Sequence, residues 1–236
     1  MKTIILAAGL GTRLRPKTDK MPKCMVEVNG VKIIQKQIDN LLENGINKED
    51  ILVVTGYEAD KLKVFLEEKY NGVNVINNVD YDKTNNMYSM YLAKDFVKGQ
   101  PFIMMNADVF YEAEVIKKLL ADNRKNLIVC DDGRYIEESM KIIKNENRIM
   151  EISKKISEED AYGVTIDVYK FSENASNTFV EIIKDYIEEQ KDLNSWTEVA
   201  INELVKKELF ESLDMKYKWV EIDNHEDLRQ AEELFV

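Results

Sequence analysis

The chain alternates short apolar runs rich in β-branched residues with longer runs whose apolar positions recur at helical spacing: KTIILAA, IIQKQIDNLLENG, DILVVTG, EADKLKVFLEEKYNG and VNVINN. Strands that are apolar on consecutive positions have to be buried on both faces, so this rhythm predicts a parallel sheet covered by helices. Gly45 and Gly72 fall where helix C-caps are due, which places the boundaries in agreement with the periodicity. NMYSMYLAKDFV reads as a helix, QPFIMMNAD as a buried strand and EAEVIKKLLAD as the next helix, making the first half a repeated βα unit.

The second half changes character. NLIVCDD, ESMKIIKNENRIMEISKK and YGVTIDVYKFS read as strands whose polar turns suit antiparallel pairing. Helices NTFVEIIKDYIEEQ and WTEVAINELVKK follow, then a strand KYKWVEID and a closing helix NHEDLRQAEELF. No linker, repeat or low-complexity tract separates the halves, and 236 residues at 44% hydrophobic content suffice for one well-buried core. The expectation is one α/β domain over residues 1–236, with a mixed, mainly parallel sheet flanked by helices.

A net charge of −11 argues against nucleic acid or an anionic membrane as partner, because both need a basic face. The apolar start is short and meets Arg13 and Arg15 where a signal peptide would have a cleavage site, and no later run approaches the roughly 20 apolar residues of a membrane helix. A cytoplasmic location is expected. Cys24 and Cys130 have neither framework nor metal-ligand spacing and read as reduced thiols, and a single histidine, His225, removes the usual zinc and Cys-His options.

Any bound anion therefore needs a local site, and the stretch LAAGLGTRLRPKTDKMPK after the first strand offers one. In open α/β sheets, loops at strand ends face the ligand crevice. Gly9 and Gly11 let backbone N–H groups approach a phosphate, and Arg13, Lys20 and Lys23 can add charge-assisted hydrogen bonds. Two familiar loops do not fit: a dinucleotide fingerprint needs glycine where Leu14 stands and a helix that Pro16 would interrupt, and no Gly-Lys-Ser/Thr of a Walker loop is present. A plain βα turn beside a solvated basic stretch fits the glycines equally well.

At full length the stretch resembles the signature LAAGxGxRLxPxTxxxPK of the nucleotidyltransferases that act on sugar phosphates and on phosphocholine. The resemblance continues through the strand ends VVTGY and NAD and the closing EIDNHEDLRQAEELF. It implies the Rossmann-like nucleotide-diphospho-sugar transferase fold, and transfer of a nucleotidyl group from a nucleoside triphosphate to a phosphorylated small molecule with release of pyrophosphate. It also implies a nucleotide cradle of Leu6, Ala7, Ala8, Gly9, Gly11, Thr12 and Arg13, with Lys23 as principal catalytic group beside Arg13.

Such a reaction needs no side-chain base, since a phosphate with a second pKa of about 6 is already ionised. It needs charge neutralisation and in-line positioning. Mg2+ takes hard oxygen ligands; Asp108 ends the strand FIMMNAD and Asp223 ends KWVEID, and the resemblance pairs the two as metal ligands, with Asp108 also at the nucleotide. The alternative for each is a helix N-cap, which suits Asp223 before NHEDL. His225 reads as a surface residue.

The segment TNNMYSMYLA, residues 84–93, resembles the phosphocholine cytidylyltransferases and departs from the Gln, Pro and Gly pattern of the sugar-phosphate enzymes. Asn85, Asn86 and Ser89 are accordingly assigned to the nucleotide, since asparagine offers both donor and acceptor to cytosine, and CTP is preferred over UTP or dTTP. One asparagine can equally cap a helix starting at Met87. A choline headgroup calls for an aromatic cage, with Tyr81, Tyr88, Tyr162, Trp196 and Trp219 as candidates, although aromatics also serve cores, and Trp196 and Val199 share one side of a helix. Glu198 suits a cationic amine instead, and Lys154 or Lys155 falls where the family often places a cation for the acceptor phosphate. The expected acceptor site is Tyr88, Lys154, Tyr162, Trp196 and Glu198. Phosphocholine-like, phosphonate, phospho-amide and sugar 1-phosphate acceptors stay open, the expected role being surface-polymer decoration. A nucleotide-binding regulatory domain without turnover is disfavoured, because Arg13, Lys23, Asp108 and Asp223 are all present.

Overall fold

The computed structural model describes residues Met1–Val236. The first strand, β1 (Lys2–Ala7), is buried from Thr3 to its end. A short hairpin, β2 (Glu27–Val28) and β3 (Val31–Lys32), leads into α1 (Ile33–Glu43), which Gly45 ends at a φ of 84°. Then come β4 (Ile51–Thr55), α2 (Ala59–Lys69), β5 (Asn74–Asn77), α3 (Asn86–Leu92), α4 (Lys94–Val97), β6 (Phe102–Asn106), β7 (Val109–Tyr111) and α5 (Glu114–Ala121). The second half holds β8 (Leu127–Asp132), β9 (Lys141–Asn145), β10 (Arg148–Ser153), β11 (Gly163–Phe171), α6 (Glu173–Lys184), α7 (Thr197–Lys207), β12 (Glu211–Asp214), β13 (Trp219–Glu221) and α8 (His225–Leu234).

One nine-stranded sheet, ordered β5-β4-β1-β6-β11-β8-β12-β10-β9, runs through both halves. All of its strands point the same way except β10 and β11; this is the expected mixed sheet, parallel through β5, β4, β1 and β6 and between β8 and β12, and antiparallel wherever β10 or β11 pairs. Consecutive residues of the central strands feed opposite cores. Ile4, Leu6 and Met104 meet α3, α6 and α7 through Met87, Phe179 and Ile201. Ile5, Ile103 and Met105 meet α1, α2 and α5 through Ile38, Leu62 and Ile116. Burial on both faces is why these strands read as unbroken apolar runs.

The helical run NMYSMYLAKDFV divides at Ala93 into α3 and α4. KYKWVEID forms β13 outside the main sheet, antiparallel to β7, and β12, ESLD, joins the sheet without having been foreseen. No helix is long and apolar enough to cross a membrane.

Three features set up a crevice. The parallel register Leu6↔Asn106 brings the turns after β1 and β6 side by side. The pairing of β13 with β7, with the Ile222 N–H donating to the Asp108 carbonyl at 2.8 Å, carries the end of β13 to the same place. A third apolar cluster, including Leu14, Val26, Phe110, Ile222 and Leu228, clamps α8 against the basic loop and the hairpin.

Candidate active site

The turn after β1 opens a cavity of about 280 Å³, walled by Leu6, Ala7, Ala8 and Gly9 and by the side chains of Arg13 and Lys23. Gly11 and Thr12, expected in the cradle, do not line it. Gly11 takes a φ of 60°, and a Cβ there would lie 2.8 Å from Lys23 Cβ, so it shapes the loop against the lysine stem. Thr12 is exposed and begins a 3₁₀ turn.

Lys23 donates to both candidate metal ligands, to Asp108 Oδ2 at 2.9 Å and Asp223 Oδ1 at 2.5 Å. Arg13 pairs with the other oxygen of Asp223 at 2.7 Å. Burial alone would lower the pKa of Lys23, but the two carboxylates outweigh it and hold the ammonium well above the ordinary lysine range. Burial likewise works against the Asp223 charge, and Lys23 and Arg13 overcome it, keeping that carboxyl below its usual value. Asp223 is not a helix cap: Asn224 caps α8, accepting from the N–H groups of Glu226 and Asp227.

A third acid, Glu221, joins them, and one oxygen each of Asp108, Glu221 and Asp223 lies within 4.8 Å of the others. Asp108 Oδ1 is buried and has no hydrogen-bond partner. An unpartnered carboxylate oxygen amid an all-oxygen donor set fits a hard divalent cation such as Mg2+. Glu221 accepts from Ser139 Oγ at 2.9 Å; burial, then the nearby Asp167, Asp108 and Asp223, push its pKa up.

The floor of the cavity is acidic as well. Asp167 interrupts β11 at a φ of 56°, a left-handed conformation costly for a non-glycine residue, where the pairing with β8 loses register. It accepts from Asn106 Nδ2 at 3.1 Å and the Tyr169 hydroxyl at 2.8 Å. Burial raises its pKa, aided by the charges of Glu198 and Asp108. Glu198 is itself buried and raised by burial. Asp108, Asp167, Glu198, Glu221 and Asp223 crowd one cavity whose cations are Arg13, Lys23 and Lys154; burial and mutual repulsion push Asp167, Glu198 and Glu221 toward their neutral forms, and a cationic ligand would favour their charged ones.

Of the acceptor candidates, Lys154, Trp196 and Glu198 reach the cavity, with the Lys154 ammonium 5.3 Å from the centre of the Trp196 ring. Lys155 is exposed. Tyr88 and Tyr162 do not reach it. On α3, Asn86 and Ser89 are one turn apart and face the cavity, which turns Tyr88 away to stack on Tyr91 at 5.9 Å and pack on the core. The Tyr162 hydroxyl donates to Asp214 at 2.7 Å, and Lys144 sits over its ring. Trp219 is buried and donates to Asp131. Tyr81 and Trp196 are thus the aromatics at the cavity, too few for a cage around a quaternary ammonium.

Asn85 and Asn86 line the wall, and each also holds a neighbouring segment. Asn85 caps α3 by accepting from the Asn86 N–H at 2.8 Å and donates to the Asn194 carbonyl at 3.1 Å. Asn86 Oδ1 accepts from the Thr197 N–H at 2.9 Å. Asp167 and Glu221 escaped sequence reading; the signal for each was an acid inside an otherwise apolar strand, in GVTIDVYKF and KWVEID.

A family model described as nucleotidyl transferase matches residues 2–235. The chain is 32% identical over 250 residues to the CTP:phosphoglutamine cytidylyltransferase of Campylobacter jejuni, covering 97% of this chain and 98% of that protein. It is 50% identical over 95 residues to the choline-phosphate cytidylyltransferase of Streptococcus pneumoniae, covering 40% of each. The solved CTP:phosphocholine cytidylyltransferase from Streptococcus pneumoniae superimposes with a TM-score of 0.78 at 26% identity, over 100% of this chain and 99% of that one. The match spans only 51% of the length of another curated relative.

Proposed function

The chain belongs to the nucleotidyl transferase family, and from that premise we propose that it transfers CMP from CTP to a small phosphorylated acceptor bearing a cationic group, releasing pyrophosphate. The observation that carries this reading is the pairing of Arg13 and Lys23 with Asp223 and Asp108 in a cavity that Asp167, Glu198, Glu221 and Lys154 also line. Two cations and two carboxylates at one point suit a triphosphate and its counter-ion, and the buried acids behind them suit a positively charged acceptor.

The relatives named for CTP, phosphoglutamine and phosphocholine favour cytidine and a non-sugar acceptor. In the proposed reaction Lys23 and Arg13 exchange carboxylate oxygens for triphosphate oxygens and carry the charge that grows on the departing pyrophosphate. An oxygen of the acceptor phosphate bonds to the α-phosphorus as the bond to pyrophosphate breaks. The acceptor is already ionised, with a second pKa of about 6, so no side chain removes a proton. Mg2+ held by Asp108 and Asp223 would neutralise triphosphate charge. Lys154 faces the acceptor phosphate, while Glu198 and Asp167 receive the cationic group.

The test is pyrophosphate release from CTP, UTP and dTTP against phosphocholine, 2-aminoethylphosphonate, phosphoglutamine and glucose 1-phosphate. Release with CTP and a cationic acceptor is expected. Turnover confined to UTP or dTTP with glucose 1-phosphate refutes the assignment.

A further inference from the structure

The cavity wall bearing Trp196 and Glu198 is anchored from across the fold. Residues 192–197 connect the end of the α6 region to α7, and three hydrogen bonds bind this strap to the start of α3. The Asn85 N–H donates to the Leu193 carbonyl at 2.8 Å, the Asn85 side-chain amide donates to the Asn194 carbonyl at 3.1 Å, and Asn86 Oδ1 accepts from the Thr197 N–H at 2.9 Å. Within the strap, Asp192 accepts from the N–H groups of Asn194 and Ser195 and from the Ser195 hydroxyl. The strap is therefore internally ordered, and α3 fixes where it stands.

With the Asn86 oxygen taken by Thr197, its NH₂ group turns to the other side, and Asn86 and Thr197 are among the groups favouring the charged form of the buried Glu198. Asn85 thus spends its side-chain oxygen on the α3 cap and its amide on the strap, and Asn86 spends its oxygen on the strap.

We propose that Asn85 and Asn86 are positioning residues for the acceptor, holding the Trp196–Glu198 wall in place, and that they do not read the nucleotide base. The proposal rests on the reading of the cavity as a CTP and acceptor site, but one of its tests needs neither ligand. Trp196 is 44% exposed and Trp219 only 3%, so acrylamide quenching of tryptophan fluorescence in the ligand-free protein reports Trp196.

Asn86→Ala is expected to raise quenching and to raise the KM for phosphocholine or 2-aminoethylphosphonate, whichever the wild type turns over, about tenfold, leaving the KM for CTP within about twofold. Asn86→Asp retains an oxygen for the Thr197 N–H but sets a charge beside Glu198. It should return quenching to the wild-type value while the acceptor KM stays high, a split that simple loss of structure does not produce. Asn85→Ser keeps a capping oxygen and loses the donor to Asn194, and should give the same pattern as Asn86→Ala if that variant does not fold. A KM for CTP that rises in step with that of the acceptor, or a folded Asn86→Ala with unchanged quenching, overturns the proposal. If the wild type uses neither probe, the functional reading fails on its own and quenching alone decides the role of the strap.

Discussion

Replacing Lys23 with methionine keeps most of the side-chain stem and removes its charge, leaving Asp108 and Asp223 without their shared cation. The side chain is only 13% exposed, so little water can take over. Breaking a buried ion pair by removing one partner costs about 3–5 kcal/mol. Arg13 stays on Asp223 at 2.7 Å, so the uncompensated charge falls mainly on Asp108 and the lower end applies, about 3 kcal/mol. At this chain length each kcal/mol moves the unfolding midpoint by about 2–4 °C, so a drop of roughly 6–12 °C is expected in EDTA. Lys23 also sits where a divalent ion's charge would go, so the variant should bind Mg2+ without nucleotide more tightly than the wild type. Mg2+ at about 100 times its Kd would return about 2.7 kcal/mol, nearly the whole loss. Thermal denaturation with and without Mg2+ measures both effects. An unchanged midpoint in EDTA, or the same Mg2+ response in both proteins, refutes the view of Lys23 as an internal counter-ion.

A Cβ at Gly56 would lie 2.7 Å from both the Ala8 carbonyl oxygen and Tyr81 Cβ, two residues of the cavity wall. Gly56→Ala should cost about 1–3 kcal/mol and raise the KM for CTP, measured by denaturation and initial rates; an unaltered KM counts against the loop position. Burial pushes the Cys24 thiol up to about 12 and Cys130 higher still. Iodoacetamide at mildly alkaline pH should modify neither thiol in the native protein and both in urea, as read by mass spectrometry. The Arg124 guanidinium beside Asp122 holds its carboxyl down to about 2 against an ordinary 3.8. Because the folded value is the lower one, the stability this pair adds is present above pH 3.8 and lost as pH falls toward 2. The advantage over Asp122→Asn should therefore vanish across that interval in an acid titration followed by circular dichroism.

Elements buried on both faces or amphipathic at helical spacing, such as β1, β4, β6, α1 and α5, were legible because their own residues dictate them. β12 was missed because ESLD carries no strong β signal; its place is set by its parallel partner β8. Similarly, Arg13, Lys23, Asp108 and Asp223 could be found from strand ends and a long motif, whereas Asp167 stands in mid-strand and enters the cavity through a local break in pairing. Tyr88 does not reach the cavity because Asn86 and Ser89 occupy the face of α3 toward it and helical rotation turns Tyr88 away. The strap tied to Asn86 joins residues 111 positions apart, a distance at which no local pattern speaks.

The salt bridge between Lys23 and Asp223 spans 200 positions of the chain. At about 5–20 residues per second, a ribosome needs roughly 10–40 s to travel from one to the other. Throughout that interval the growing polypeptide has the glycine turn and its lysine but not the last carboxylate, nor the helix α8 that clamps the loop. The cavity is thus completed only once Asp223 has been made, and a ribosome stalled before residue 223 leaves a product that holds most of the sheet and lacks a finished site.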